Sequence, residues 1–191
     1  MQNNKPGSLH NFETMLKIFL ISLLFCPKLS FTQGTIDNTG SKISSEDARA
    51  ILDHHNKIRN DLHIPPLSWS ADLAAYAQKW ADSLATSYNC NLIHRENQGE
   101  NTPVYGENLY GGSSSESFKP IDASLSWYSE IQQYTYVKID ENNWYNTGHY
   151  TQMIWKNTRE VGVGIATCPG GGIIVVANYN PPGNFMGEFP Y

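Results

Sequence analysis

The sequence predicts an α+β fold with an antiparallel sheet, and three observations lead there. Two stretches, 44–62 and 70–84, carry apolar residues every three or four positions, the period of a helix with one buried face. Two runs rich in β-branched residues, VGVGIATC and IIVVANY, flank Pro169-Gly170-Gly171-Gly172 and read as a hairpin rather than a crossover unit. Helices and strands are interspersed without the regular alternation that makes a parallel sheet. At 191 residues with 40% hydrophobic content the chain is long enough for one well-buried core and short for two.

The first 32 residues read as an export signal. Lys17 precedes the apolar run IFLISLLFC, followed by Pro27 and the small or polar residues of LSFTQG, so cleavage is expected near residues 30–34. No segment reaches the roughly 18 apolar residues of a membrane span. Removing residues 1–32 leaves 10 Lys and Arg against 17 Asp and Glu, a net charge of −7. An acidic domain without a basic run argues against nucleic acid and against docking on anionic lipid. Two cysteines remain, Cys90 and Cys168, in an oxidising compartment.

Residues 33–44 read as a polar linker, and the domain is expected over 45–191. Ser44 with Asp47 signals a helix start. Ala48, Ile51, Leu52, His55, Ile58 and Leu62 form its stripe, and Pro65-Pro66 stops it. His54 and His55 diverge by about 100° on a helix, so they are poor joint ligands and are expected at the surface and the stripe edge. Ser70 caps a second helix whose face is Leu73, Ala74, Ala77, Trp80, Ala81 and Leu84. Its alanines suit close packing against a sheet. NLIH, ending in His94, reads as a short strand, then a polar loop runs to Gly106, and 111–117 reads as a loop. Pro120 opens a third helix with Ile121, Leu125, Tyr128 and Gln132 on one side. Trp127, Glu130 and Ile131 share another face of it. Residues 134–146, YTYVKIDENNWYN, are aromatic and irregular.

Spacing alone assembles no catalytic constellation. H-E-x-x-H, G-x-S-x-G and paired C-x-x-C are all missing from the sequence. What stands out is a set of imidazoles and carboxylates: His94, Glu107 in YGENLY, Glu130 in WYSEI, and His149. Such a set could bind a borderline divalent metal, work as a general acid and base, or hydrogen-bond internally to hold a loop and a helix.

Two longer segments carry a resemblance. GHYTQMIWKNT (148–158) and IVVANYNPPGNF (174–185) resemble, in order and spacing, the signature segments of the CAP superfamily: cysteine-rich secretory proteins, antigen 5 and plant pathogenesis-related class 1 proteins, which share the SCP domain. The resemblance implies a three-layer α-β-α sandwich with a central antiparallel sheet. It also implies that His94, Glu107, Glu130 and His149 match a tetrad lining a central cleft, with His94 and His149 as ligands for zinc or magnesium and no cofactor required. Plant members carry cysteines at the positions of Val163 and Ala177, the partners of those matching Cys90 and Cys168. Both partners are missing here, which leaves open whether Cys90 and Cys168 pair with each other.

The function the resemblance implies is that of a secreted, non-enzymatic protein binding a sterol or other lipid. Residues 134–147 stand where relatives have a sterol-binding loop, so Tyr134, Tyr136, Val137, Ile139, Trp144 and Tyr145 are the candidate lipid contacts. The alternatives are a metal-dependent hydrolase and a defence or signalling protein that meets other secreted or cell-surface proteins. The tail PPGNFMGEFPY resembles that of plant members, from which a signalling peptide is released; it also reads as a packed terminal segment.

Overall fold

The computed structural model describes Met1 and residues 35–96, 104–113 and 118–191. Residues 2–32 of the expected signal peptide and the first residues of the expected linker lie outside the described residues. Residues from Thr35 to Tyr191 form one compact unit. No helix among the described residues is long and apolar enough to cross a membrane.

Helix α1, Ser45–Asp61, starts where Ser44 Oγ accepts the Asp47 N–H at 3.0 Å. Ala48, Ile51, Leu52, His55 and Ile58 of its expected stripe are buried, but the helix ends before the prolines, at a partly buried Leu62 cap followed by His63 at φ 56°. His55 is a correction. It lies fully buried rather than at the stripe edge, giving its Nδ1–H to the Ile51 carbonyl at 2.8 Å and accepting the Tyr179 hydroxyl on Nε2 at 3.0 Å. Both ring nitrogens are thus satisfied in the neutral form, and burial, joined by the charges of His54 and Arg59, lowers its pKa to about 3.

Helix α2, Ala71–Ser87, buries the alanine-rich face that its sequence presents. It lies so close to the sheet that a Cβ on Gly162 or Gly164 would strike the backbone of Ala74 or Gln78. Helices α3 (Ile121–Ser129) and α4 (Trp144–Met153) pack with α1 on the opposite face. The sheet contains β1 (Ser68–Trp69), β2 (Gly106–Gly112), β3 (Glu160–Thr167) and β4 (Ile173–Asn180), in the order β1-β3-β4-β2. The expected hairpin is β3–β4, in register from Glu160↔Asn180 to Thr167↔Ile173. β2 runs antiparallel to β4, while the two-residue β1 is parallel to β3. Alternation along the strands sends Val161, Val163, Val175 and Ala177 towards α1, α3 and α4, and Ala166, Ile174 and Val176 towards α2. The chain is therefore the α+β, three-layer α-β-α sandwich that was expected.

Several local expectations are corrected. NLIH is not a strand: residues 91–96 are irregular, because their polar groups meet side chains instead of a ladder. The strand is GENLYGG, so Gly111 and Gly112 belong to β2 rather than to a loop. GHYTQM, whose sequence carries no apolar period because Thr147, Thr151 and Gln152 are among the buried side chains of its element, falls within helix α4. Residues 35–43, expected as linker, pack on the domain: Trp69 Nε1 donates to the Thr39 carbonyl and Ser41 Oγ to the Val163 carbonyl. On α3, Trp127 rather than Leu125 is the buried anchor; Leu125 is exposed.

Cys90 and Cys168 form a disulfide, with their Cα atoms 6.1 Å apart. It ties the chain just beyond α2 to the end of β3. At the other end of the fold Arg59 is fully buried and donates to four carbonyls, of Pro65, Met153, Trp155 and Thr158, at 2.7–3.1 Å. It thereby closes the C-terminus of α4, where carbonyls lack helical partners.

Candidate functional site

The four tetrad residues form two imidazole–carboxylate pairs beside β2, the outermost strand on its side of the sheet. Glu107 and Asn108 are successive residues of β2 and so point to opposite faces. Glu107 lies on the face of Leu109, which packs with α2. Its Oε1 accepts both the His94 Nδ1–H at 2.9 Å and the Arg95 N–H at 3.1 Å. Its side chain is 9% exposed, whereas that of His94 is 61% exposed. Asn178, opposite Glu107 in register, donates to the Gly106 carbonyl at 3.1 Å and approaches Glu107 Oε2 at 3.5 Å. Arg95 anchors the segment from the other side. Its guanidinium lies 3.8 Å from the Tyr76 ring centre and 5.2 Å from that of Trp80, and donates to the Tyr76 carbonyl.

The second pair is built on α4. His149 Nδ1–H donates to Glu130 Oε1 at 2.6 Å, and Glu130 Oε2 accepts the Tyr150 N–H at 3.0 Å. The imidazole stacks on Trp127, the ring centres 6.4 Å apart. Asn108 Nδ2 donates to the His149 carbonyl at 3.1 Å and to the Tyr179 hydroxyl at 3.2 Å. A buried chain thus runs from Ile51 through His55, Tyr179 and Asn108 to the backbone of His149. A carboxylate can only accept, so each Glu fixes hydrogen on Nδ1 of its histidine and leaves Nε2 as the outward nitrogen. Among the described residues no group of three or more His, Cys, Asp or Glu side chains lies close enough to hold a metal.

The six candidate lipid contacts separate into two sets. Ile139 is buried and Tyr134 packs edge-on against Tyr150, its hydroxyl buried without a partner among the described residues. Tyr136, Val137, Trp144 and Tyr145 are exposed. The irregular stretch is shorter than expected, since Trp144 and Tyr145 open α4. Beside them lies a pocket of about 200 Å³ lined by Tyr134, Thr135, Val137, Ile139, Asn143 and Thr147 among others. The C-terminal tail joins the same surface. Tyr136 stacks on Phe189 and gives its hydroxyl to the Tyr191 carbonyl, while Ile139 exchanges backbone bonds with Glu188 and Gly187. The tail is a packed terminal segment, further held by the Lys156 N–H on the Pro190 carbonyl.

Three features had no legible signal in the sequence: the aromatic clamp on Arg95, the Asn178 support of Glu107, and the buried chain behind His149. Their residues are far apart in sequence and ordinary in type. Gln152, by contrast, caps backbone at the start of the tail, its Oε1 accepting the Gly183 N–H at 2.9 Å.

The profile of the CAP family, the cysteine-rich secretory protein family, matches residues 52–179. Pathogenesis-related protein 1A of Nicotiana tabacum is 41% identical over 140 residues, 73% of this chain and 78% of that protein. Pathogenesis-related protein 1 of Arabidopsis thaliana is 36% identical over 137 residues, 72% and 78% of the respective chains. Among solved structures, that of BmVAL-1 superposes with a TM-score of 0.66 at 26% identity, covering 81% of this chain and 86% of that one. NaASP2, crystallised with Zn2+, gives a TM-score of 0.67 at 23% identity, covering 83% and 90%, a likeness of fold.

Proposed function

The chain belongs to the CAP family of cysteine-rich secretory proteins, and from that premise we propose that it is an exported, non-enzymatic protein of the defence type that captures a sterol or another amphipathic lipid at residues 134–147. The observation that carries this reading is the exposure of Tyr136, Val137, Trp144 and Tyr145 beside a pocket, continued by Phe189 of the tail, which stacks on Tyr136. Large apolar side chains gathered on one surface mark binding sites more often than chance exposure does. The pocket, at about 200 Å³, is below the roughly 300–1,000 Å³ that encloses a drug-sized ligand. It suits the hydroxylated end of a lipid, with the hydrocarbon lying along the aromatic patch. Covering roughly 200 Å² of ligand contributes about 5 kcal/mol before association costs, which suits reversible capture.

The test is binding of labelled sterol and fatty acid by Tyr136→Ala/Trp144→Ala. The double variant is expected to lose binding, while His149→Ala keeps it. Undiminished binding by the double variant would place the lipid elsewhere.

A second reading is favoured by the two histidines. With Nδ1 of each committed to a glutamate, both present Nε2 in the way that carboxylate–histidine pairs support a bound metal. Imidazole nitrogens suit zinc better than magnesium, which prefers oxygen ligands. His94 and His149 would be the ligands and Glu107 and Glu130 their orienting partners; since the described residues offer no cluster of three such groups, water would have to complete the shell of a metal that supplies a Lewis-acid centre. Calorimetry should show zinc binding that disappears in His94→Ala/His149→Ala and weakens as the imidazoles protonate. Equal binding by the double variant removes the metal from these residues.

A further inference from the structure

A second pocket, of about 230 Å³, is lined by Tyr76, His94, Arg95, Tyr105, Glu107 and Asn178 among others. Its hydrogen-bonding capacity is partly unspent. Arg95 commits Nη2 to the Tyr76 carbonyl, and its Nε and Nη1 have no partner among the described residues. Glu107 Oε1 accepts two bonds, whereas Oε2 has only the 3.5 Å approach of Asn178. Arg95 and Glu107 line one pocket without pairing with each other. The guanidinium is held by its rings and the carboxylate by His94, the Arg95 N–H and the sheet. A purely anionic ligand would face Glu107, and a purely cationic one would face Arg95. Neighbouring hydroxyls meet both demands, because each hydroxyl accepts from a guanidinium N–H and donates to a carboxylate oxygen. Tyr105, which meets the Tyr76 ring at 82° with centres 5.0 Å apart, adds aromatic surface to the pocket, while the Tyr76 ring is itself covered by the Arg95 guanidinium.

We propose that this pocket is a saccharide subsite, in which the Arg95 guanidinium and the Glu107 carboxylate bind adjacent hydroxyls of one pyranose unit. It goes beyond the lipid reading, uses none of residues 134–147, and needs no metal.

The experiment is an NMR titration of the full domain with methyl glucoside and with cellobiose, in the presence of chelator. The signals of Tyr76, Arg95 and Tyr105 are expected to move with both sugars, while those of 134–147 stay still. Binding should be weak, as for any ligand that fills one small site. Glu107→Gln and Arg95→Lys, each checked for an otherwise unchanged spectrum, should each weaken it about tenfold. Glu107→Gln keeps the acceptor for His94, so it separates loss of the carboxylate from collapse of the segment. The proposal is overturned if neither sugar moves these signals, or if both variants bind as the wild type does. It is equally overturned if acetate displaces the sugars at equal concentration, which would mark an anion site, or if shifts occur only without chelator.

Discussion

The two imidazole–carboxylate pairs have the same chemistry and opposite supports. His149 rides on helix α4, stacked on Trp127, with its carbonyl held by Asn108 and its helix closed by Arg59. His94 belongs to residues 91–96, which have neither helix nor strand and are held by a disulfide at Cys90, the Trp80 Nε1 bond to the Ile93 carbonyl, and the Arg95 clamp. One pair is therefore positioned by buried polar contacts, whose loss disturbs the core. The other is positioned by a covalent tie and surface contacts, whose loss is local. Identical side chains should fail in different ways.

The largest effect is expected at Arg59. Arg59→Leu leaves four carbonyls, three of them around the end of α4, without their donor. At about 1–3 kcal/mol for each buried group left unsatisfied, a loss of at least about 3 kcal/mol should appear in denaturant unfolding. Amide exchange should rise in α4 before it rises in residues 91–96. Cys90→Ser/Cys168→Ser should cost about 2–4 kcal/mol, because it frees a loop with a sequence separation of 78. Here the order reverses, with exchange rising first in 91–96 while α4 keeps its protection. If both variants loosened both regions equally, the distinction between the two supports would be lost.

Acid should act on the His149 side through His55. In the unfolded chain this imidazole takes a proton near its ordinary pKa of about 6.5, whereas in the fold burial holds it to about 3. Its contribution is complete above about pH 6.5 and is lost as pH falls towards 3, at up to about 1.4 kcal/mol per pH unit. His55→Gln should flatten the stability profile across that window, and an unchanged slope would assign it to other groups. The smallest effect is expected for Asn108→Ala, about 1–2 kcal/mol, through its bonds to the His149 carbonyl and the Tyr179 hydroxyl. Its mark should be a shifted His149 signal with His94 unmoved.

The same contrast explains what the sequence made legible. Helices α1 and α2 announce themselves through capping serines and apolar stripes, and the hairpin through β-branched runs about a glycine turn. The residue types of the tetrad were legible through the resemblance to the CAP family, with His149 inside its first signature segment. Helix α4 was not, because its buried side chains are largely polar and leave no apolar period. β2 was hidden because three of its seven residues are glycine and a largely buried carboxylate, Glu107, stands among the rest. NLIH has strand-like composition, yet Leu92 and Ile93 lie exposed and its backbone meets side chains instead. Pairing of Cys90 with Cys168 depended on three-dimensional proximity that no spacing encodes.

The two pairs share one feature: each glutamate holds hydrogen on Nδ1 and turns Nε2 outward. Long-range ¹H–¹⁵N NMR of the histidine rings, at a pH where both are neutral, reads this directly. It should show the Nδ1–H tautomer for His94 and for His149, with zinc then shifting Nε2 of both. An Nε2–H tautomer at either histidine, or a zinc response carried by Nδ1, would contradict the arrangement on which the metal reading and the pairing of the two sites depend.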